Sequence, residues 1–388
     1  MFPKKCRKLL FLLSVIVMAL LCACDKKDEE KSDNPIAQAE TGKELKTVKI
    51  GGIAPLSGDA FNYGSSAKNG AELAVETYNS KNKNVQLELS FKDDHADKKN
   101  ALQAYKELKS EGTDVIVGPL MNDCASFVKE ESEGDDVVHI IQGATAPNLT
   151  DGIRHFRICR TNLFEGKAAA DYLKQKGVNY IALLHDSSEP YSEQLHDAFR
   201  EEYEAIGGTV VIDEYFAKGD TDFSKQTSRL KLYKFDAIYM PVFYTQAIGL
   251  ISAINNAGIS TKYYGSDSWY GIAEQVEGNN SLTEGVSFFS RYIPEEESEQ
   301  NKQFVSEYTK KYGQAPDIYA ASTYDAVMLA AQAAEECNGN VTANGLSLAI
   351  KKINFEGLTG KMTFLSDGEP RIDPKMVTVS KGKYLGSI

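Results

Sequence analysis

Thr145, Asn122, Gly143 and Asp267 carry, between them, the groups that a free α-amino acid needs if it is to be taken out of water. Such a ligand has a carboxylate and an ammonium on one carbon, and each must be paired because an isolated buried charge is very costly. The Thr145 hydroxyl and peptide N–H, with Asn122 at a helix N-terminus, can hold the carboxylate. The Gly143 carbonyl and the Asp267 carboxylate can hold the ammonium. Tyr63, Tyr191, Phe243, Tyr244 and Tyr319 can wall the ligand's side chain and exclude water. Each residue alone also has an ordinary reading, an acid capping a helix or an aromatic filling a core.

Groups for bond-making chemistry are poorly supplied. A dinucleotide enzyme needs a glycine fingerprint opening a helix after its first strand, and Gly52-Ile53-Ala54-Pro55-Leu56-Ser57-Gly58 does not match it. No G-x-S-x-G elbow is present, and the five histidines, His95, His139, His155, His185 and His196, show no metal-ligand spacing. His185, at a strand end, is the one plausible general base. The expectation is therefore a binding protein, not an enzyme, with no cofactor and no metal.

The elements that must position these groups are legible as alternation. Val137, Val138, Ile140 and Ile141 form a short apolar run, as expected of a strand covered on both faces, and Pro147 ends it beyond the bare backbone of Gly143 and Ala144. Upstream, strands at Thr47–Ile53, Val85–Phe91 and Asp114–Leu120 alternate with helices at about 62–79, 97–110 and 124–131. The first helix buries Ala67, Gly70, Ala71, Ala74, Val75 and Tyr78 at helical spacing. This is the grammar of a doubly wound parallel sheet. It restarts with a helix at 164–176 and strands at 180–185, 210–216, 237–243 and 262–265, separated by helices at 191–206, 222–232 and 245–256. Long helical segments at about 296–312, 319–337 and 342–353 follow, with closing strands at Phe364 and 376–384. Ligands of open α/β sheets sit beyond the carboxyl ends of strands. That rule gathers Tyr63, Met121, Asn122 and Gly143 to Thr145 from one half, and Tyr191, Phe243, Tyr244 and Asp267 from the other.

At 388 residues the chain exceeds one ordinary core, so two domains are expected. A net charge of −12 argues against nucleic acid as a partner. Lys4, Lys5, Arg7 and Lys8 precede an apolar run from Leu9 to Ala23, too short to span a membrane and suited to export. Leu21-Cys22-Ala23-Cys24 resembles the bacterial lipoprotein box, which implies removal of residues 1–23 and lipid on Cys24. Residues 24–46 read as a charged, flexible tether. Cys124, Cys159 and Cys337 match no zinc pattern and are expected as buried free thiols.

The whole of the globular part, from about Thr47 to Ile388, resembles the type I periplasmic-binding-protein family. Within it the resemblance is specifically to the branched-chain amino-acid (Leu/Ile/Val) substrate-binding subunits of ABC importers. The residues that carry the likeness are Ile50-Gly51-Gly52-Ile53-Ala54-Pro55-Leu56-Ser57-Gly58, Tyr63-Gly64, Asn69-Gly70-Ala71-Glu72-Leu73-Ala74, Asp93-Asp94 and Val117-Gly118-Pro119-Leu120. With them go Gly143-Ala144-Thr145-Ala146-Pro147-Asn148-Leu149-Thr150, Phe156-Arg157, Asp220-Thr221-Asp222-Phe223-Ser224 and Tyr324-Asp325-Ala326, and their order and spacing together are specific.

The resemblance implies a two-lobe α/β fold, each lobe a mainly parallel sheet flanked by helices, hinged with a ligand cleft between. It implies lobes of 47–162 with 294–365 and of 163–293 with 366–388. Ligand contacts are implied at Gly143, Ala144, Thr145 and Asp267, and at the aromatics Tyr63, Tyr191, Phe243 or Tyr244, and Tyr319. The function implied is capture of an amino acid by lobe closure and delivery to a membrane ABC permease, by a monomer held extracytoplasmically on its lipid. A receptor of the same fold that signals ligand availability to a membrane partner is the alternative. Two departures stand out. Asn122, preceded by Met121, replaces the serine common after Gly-Pro-Leu, and the disulfide of some relatives has no counterpart because Ala96 and Met121 occupy its positions. Leucine, isoleucine and valine are the family expectation; aromatic walls also suit phenylalanine.

Overall fold

The computed structural model describes residues 46–81, 84–217, 219–276, 280–372 and 375–386. The expected signal peptide, Cys24 and nearly all of the tether lie outside the described residues. The segment Leu45–Ile388 forms one compact unit.

Strand β1 (Lys46–Ala54) is exposed at its start and buried from Ile50 onward, as a parallel strand covered by helices should be. Helix α1 (Phe61–Lys81) returns the chain to β2 (Val85–Asp93), and α2 (Lys98–Ser110), capped by the Asp97 carboxylate, leads to β3 (Val115–Val117). Helix α3 (Asn122–Glu131) precedes β4 (Val138–Ile141), and β5 (His155–Arg157) completes a five-stranded parallel sheet of order β2-β1-β3-β4-β5. Strand β5 escapes a reading by apolar pattern because two of its three buried residues are His155 and Arg157. They are tolerated there because His155 pairs with Asp151 at 2.8 Å and Arg157 with Glu369 at 3.1 Å.

The second sheet is built from α4 (Asn162–Gln175), β6 (Tyr180–Asp186), α5 (Pro190–Ala205), β7 (Thr209–Phe216), α6 (Ser224–Leu230), β8 (Ala237–Met240), α7 (Tyr244–Asn256), β9 (Lys262–Gly265) and β10 (Ser287–Ser290). Three helices follow, α8 (Glu299–Tyr312), α9 (Ile318–Glu336) and α10 (Ala343–Ile350), then a small antiparallel sheet of β11 (Phe355–Gly357), β12 (Gly360–Phe364) and β13 (Pro370–Ile372). Strands β14 (Lys375–Ser380) and β15 (Lys383–Gly386) form a hairpin, not one closing strand. They join β10 antiparallel, giving the order β15-β14-β10-β9-β8-β6-β7.

Helix α9 is buried on nearly every side, which explains its alanine-rich, almost uncharged sequence. It packs in the first core, with Val48, Val117, Ile140, Phe156, Tyr308, Phe355 and Ile372. The small sheet thus stays with the first lobe through Ile372, past the boundary expected at 365. The second core gathers Leu184, Ile238, Leu250, Trp269, Phe288, Val377 and Tyr384. The chain passes between the two cores after β5, after β10 and between Ile372 and Lys375. Cys124 and Cys159 are buried free thiols as expected, whereas Cys337 is only half-buried.

Candidate functional site

The turn after β4 is held from both sides. Its N–H groups at Thr145 and Ala146 both donate to the Asn122 side-chain oxygen, at 2.7 and 3.0 Å. Its carbonyls at Ala144 and Ala146 both accept from the Arg157 guanidinium, at 2.9 and 2.8 Å, and the Ala144 carbonyl also takes the Cys159 thiol at 3.3 Å. Asn122, expected to donate toward a ligand, is an acceptor here, and its position at the start of α3 lets it reach across to the turn. Gly143 is small for a packing reason: a Cβ would lie 2.4 Å from the Leu120 side chain. Ala144 is buried among Ala125, Ile141 and Leu149. Met121 packs beneath, against the cluster of Tyr105, Cys124 and Val128.

Asp267 is fixed by a different device. It begins a 3₁₀ turn after β9, and the fully buried Trp269 two residues on donates its indole N–H to the Val242 carbonyl at 2.9 Å. Gly265 makes room, since a Cβ there would lie 2.1 Å from the Trp269 ring. So held, the Asp267 carboxylate accepts the Tyr191 hydroxyl at 2.5 Å on one oxygen and pairs with the Arg291 guanidinium at 3.0 Å on the other. Its peptide N–H donates to the Glu165 carboxylate at 2.9 Å.

Around it lies a cluster of buried charge. Burial, then the charge of Asp267, pushes Glu165 well above the usual carboxylate range, while Arg160 opposes the shift. For Arg291, burial alone would favour the neutral form, and Asp267 beside it outweighs that. Burial, then Asp267, also keeps the Tyr191 hydroxyl protonated far above its ordinary range, so it remains a donor. Arg160 is buried too, with its Nη2 3.4 Å from the Ser290 carbonyl.

The aromatics fall into two pairs, one from each half. Tyr63 and Tyr319 lie with ring centroids 5.0 Å apart, and Tyr191 and Phe243 stack at 5.3 Å with planes 19° apart. Tyr244 instead packs against the second core, so Phe243 is the residue of that loop which joins Tyr191. Tyr319 stands within electrostatic reach of Arg291 and Asp267, and so does Cys159 beneath the Ala144 carbonyl. Tyr319 and Cys159 are thus residues of the first lobe that the second lobe's acid reaches.

The sequence from 47 to 383 matches the model of the family described as "Periplasmic binding protein". The chain belongs to that family. It is 27% identical over 343 residues to the Leu/Ile/Val-binding protein BraC3 of Rhizobium johnstonii, covering 86% of this chain and 90% of that one. It is 25% identical over 329 residues to the leucine-, isoleucine-, valine-, threonine- and alanine-binding protein of Pseudomonas aeruginosa, covering 83% and 87%. Among solved structures it is similar to the branched-chain amino acid transporter substrate-binding protein LivJ of Streptococcus pneumoniae, crystallised with isoleucine. That similarity has a TM-score of 0.72, at 27% identity, over 88% of this chain and all of the other.

Four charged residues of this periplasmic binding protein's site were not found by sequence reasoning: Arg157, Glu165, Arg160 and Arg291. Arg157 stands in one of the quoted motifs, without a role attached. For Arg291 the available signal was weak, an arginine directly after the strand Ser287–Ser290 and before Tyr292-Ile293, where solvent exposure would not be expected.

Proposed function

We propose that this chain captures a free amino acid between its two lobes and delivers it to a membrane ABC permease, without chemical turnover, with leucine, isoleucine and valine as its first ligands. The observation that carries this reading is the convergence of the Thr145 and Ala146 N–H groups on a single acceptor oxygen, that of Asn122. One oxygen seated on two peptide donors is what a ligand carboxylate requires, and Asn122 yields that seat when the ligand arrives. The ammonium approaches the Asp267 carboxylate beside the Tyr191 hydroxyl and the Gly143 carbonyl. Each carboxylate oxygen accepts more than one hydrogen bond, so the Arg291 pair does not exhaust Asp267. Tyr63 with Tyr319 and Tyr191 with Phe243 close on the side chain from opposite lobes. Likeness to relatives named for Leu/Ile/Val binding supports the ligand class.

Closure runs about the three crossover segments, driven by contacts made to both lobes at once. Lipid on Cys24 holds the monomer at the extracytoplasmic face, with the acidic tether giving reach. No helix among the described residues is long and apolar enough to cross a membrane. The test is a thermal-shift screen of the amino acids, with mass spectrometry of whatever copurifies. A ligand at a hundred times its Kd stabilises by about 2.7 kcal/mol, so leucine, isoleucine or valine should raise the unfolding midpoint visibly. A screen in which no amino acid raises it would overturn the reading.

A further inference from the structure

Outside the cleft, on the far edge of the second sheet, three side chains with no place in the proposed transport function converge. His185 comes from β6, His196 from α5 and Asp213 from the edge strand β7. One nitrogen from each histidine and one carboxylate oxygen all lie within 4.8 Å of one another. The His196 Nε2 is 3.0 and 2.9 Å from the two Asp213 oxygens, and the His185 Nδ1 is 3.6 Å from Asp213 Oδ1. Asp213 Oδ2 is anchored by the Arg200 guanidinium at 2.7 Å. The opposite nitrogen of His196, Nδ1, rests on the Asp197 carboxylate at 2.9 Å. We propose that His185, His196 and Asp213 bind a first-row divalent metal ion, with zinc the preferred occupant.

The argument begins with the proton on His196. Asp197 can only accept, so Nδ1 carries a hydrogen and a neutral ring leaves Nε2 as a lone pair facing a carboxylate. That arrangement needs a cation between them, either a proton or a metal. His185 distinguishes the two. Its Nδ1 is buried, faces the same carboxylate oxygen and has no hydrogen-bond partner. With His196 protonated, a neutral His185 carrying its hydrogen on Nδ1 points it at Asp213 Oδ1 across 3.6 Å, longer than a hydrogen bond, so that donor stays poorly satisfied. Protonating both rings would stack two cations with centroids 3.9 Å apart. One divalent ion satisfies all three groups together.

The dimensions agree. Zinc holds nitrogen and oxygen ligands at about 2.0–2.2 Å, so neighbouring ligand atoms in a tetrahedron lie roughly 3.4 Å apart. The two nitrogen-to-Oδ1 separations here, 3.0 and 3.6 Å, bracket that value. Swinging the His185 ring out of its stack brings the third pair into line. Two imidazoles and one carboxylate suit zinc, copper or nickel over magnesium or calcium, and the fourth position goes to water. The carboxylate behind His196 and the guanidinium behind Asp213 are the outer supports that orient metal ligands. Helix α5 begins with Pro190 and Tyr191, so the ion would staple to β6 and β7 the helix that carries an aromatic of the cleft. No consecutive-residue motif announces such a site, because the ligands sit on three elements.

The test is calorimetric titration of zinc into the purified chain after stripping with EDTA. One equivalent should bind and raise the unfolding midpoint, and cobalt in its place should give visible d–d absorption. His185→Phe keeps the ring stack, removes a ligand and leaves the His196 and Arg200 contacts to Asp213 in place; it should weaken zinc about 100-fold, and Asp197→Asn about 10-fold. His95→Ala, on an exposed loop elsewhere, should change nothing. Absence of zinc binding, or binding that His185→Phe leaves intact, would overturn the proposal.

Discussion

The two sides of the cleft are held by opposite means. On the first lobe the turn at 143–147 is neutral, and its exposed peptide groups are matched by side chains from neighbouring elements, Asn122 for the donors and Arg157 for the acceptors. On the second lobe Asp267 sits in a knot of ionisable groups, with Arg291, Glu165 and the Tyr191 hydroxyl in direct contact. A backbone-built seat offers fixed dipoles that need no compensating charge. A charged seat must balance its books internally, so its members fail together when one is removed.

The sharpest way to break that contrast is Asp267→Ala. It removes the proposed ammonium partner and strands Arg291, which is 90% hidden from solvent along its side chain. Amino-acid affinity should fall by about 2–5 kcal/mol. Stability should fall in parallel by about 3–5 kcal/mol, the usual cost of an orphaned buried charge. Calorimetry and chemical denaturation measure the two; unchanged affinity would remove Asp267 from the site. Double replacement of Asp267 and Arg291 by apolar residues should restore much of the stability and none of the affinity.

On the first lobe the counterpart is Arg157→Ala. The guanidinium is fully buried and holds two carbonyls and Glu369. Its loss should cost about 3 kcal/mol of stability, since hydrogen bonds to a charged group are the strong ones. Affinity should fall through disorder of the turn, not through a lost contact, so a slower association rate is the expected signature. Asn122→Ala is milder. Two hydrogen bonds to one neutral oxygen are worth about 1–2 kcal/mol to the ligand-free protein. On the proposal that a ligand carboxylate takes the same two donors, affinity should hold or improve; a tenfold loss would make Asn122 a direct ligand contact instead.

The same contrast governs what the sequence disclosed. The turn was legible because apolar residues, small residues and a proline follow one another along eight positions, and its backbone chemistry is local. The alternation of strands and helices was legible for the same reason. Strand β5 was not, because His155 and Arg157 are buried against partners distant in sequence, and the hairpin of β14 and β15 merged into one run because both strands are apolar. Asp267 was singled out as an ammonium partner, a role that stands as a proposal, whereas its pairing with Arg291 was not foreseen. The partners are joined only where the chain leaves β10 beside the end of β9, a parallel pairing with no sequence motif. Gly143 was assigned to close ligand approach, whereas the Leu120 side chain fills the space its Cβ would need.

A final, smaller test concerns a neutral group beneath the first lobe's turn. His139, on β4 just before it, is fully buried, stacked on His155 at 4.6 Å and beside Tyr105. Burial, with the neighbouring His155 adding to it, holds its imidazole well below the ordinary histidine range. The unfolded chain takes up this proton near pH 6.5, while the folded chain refuses it. At this group the unfolded state therefore binds the extra proton, so the His139 contribution to stability falls as pH drops below about 6.5, by at most about 1.4 kcal/mol per pH unit, while the raised Glu165 carboxyl acts in the opposite sense. Between pH 7.5 and 5.5 the unfolding midpoint of His139→Phe, which keeps the stack without the titrating nitrogen, should rise relative to that of the parent chain as pH falls. An unchanged slope in the variant would assign the acid sensitivity to the second lobe's charges, and the neutral half of the contrast would be lost.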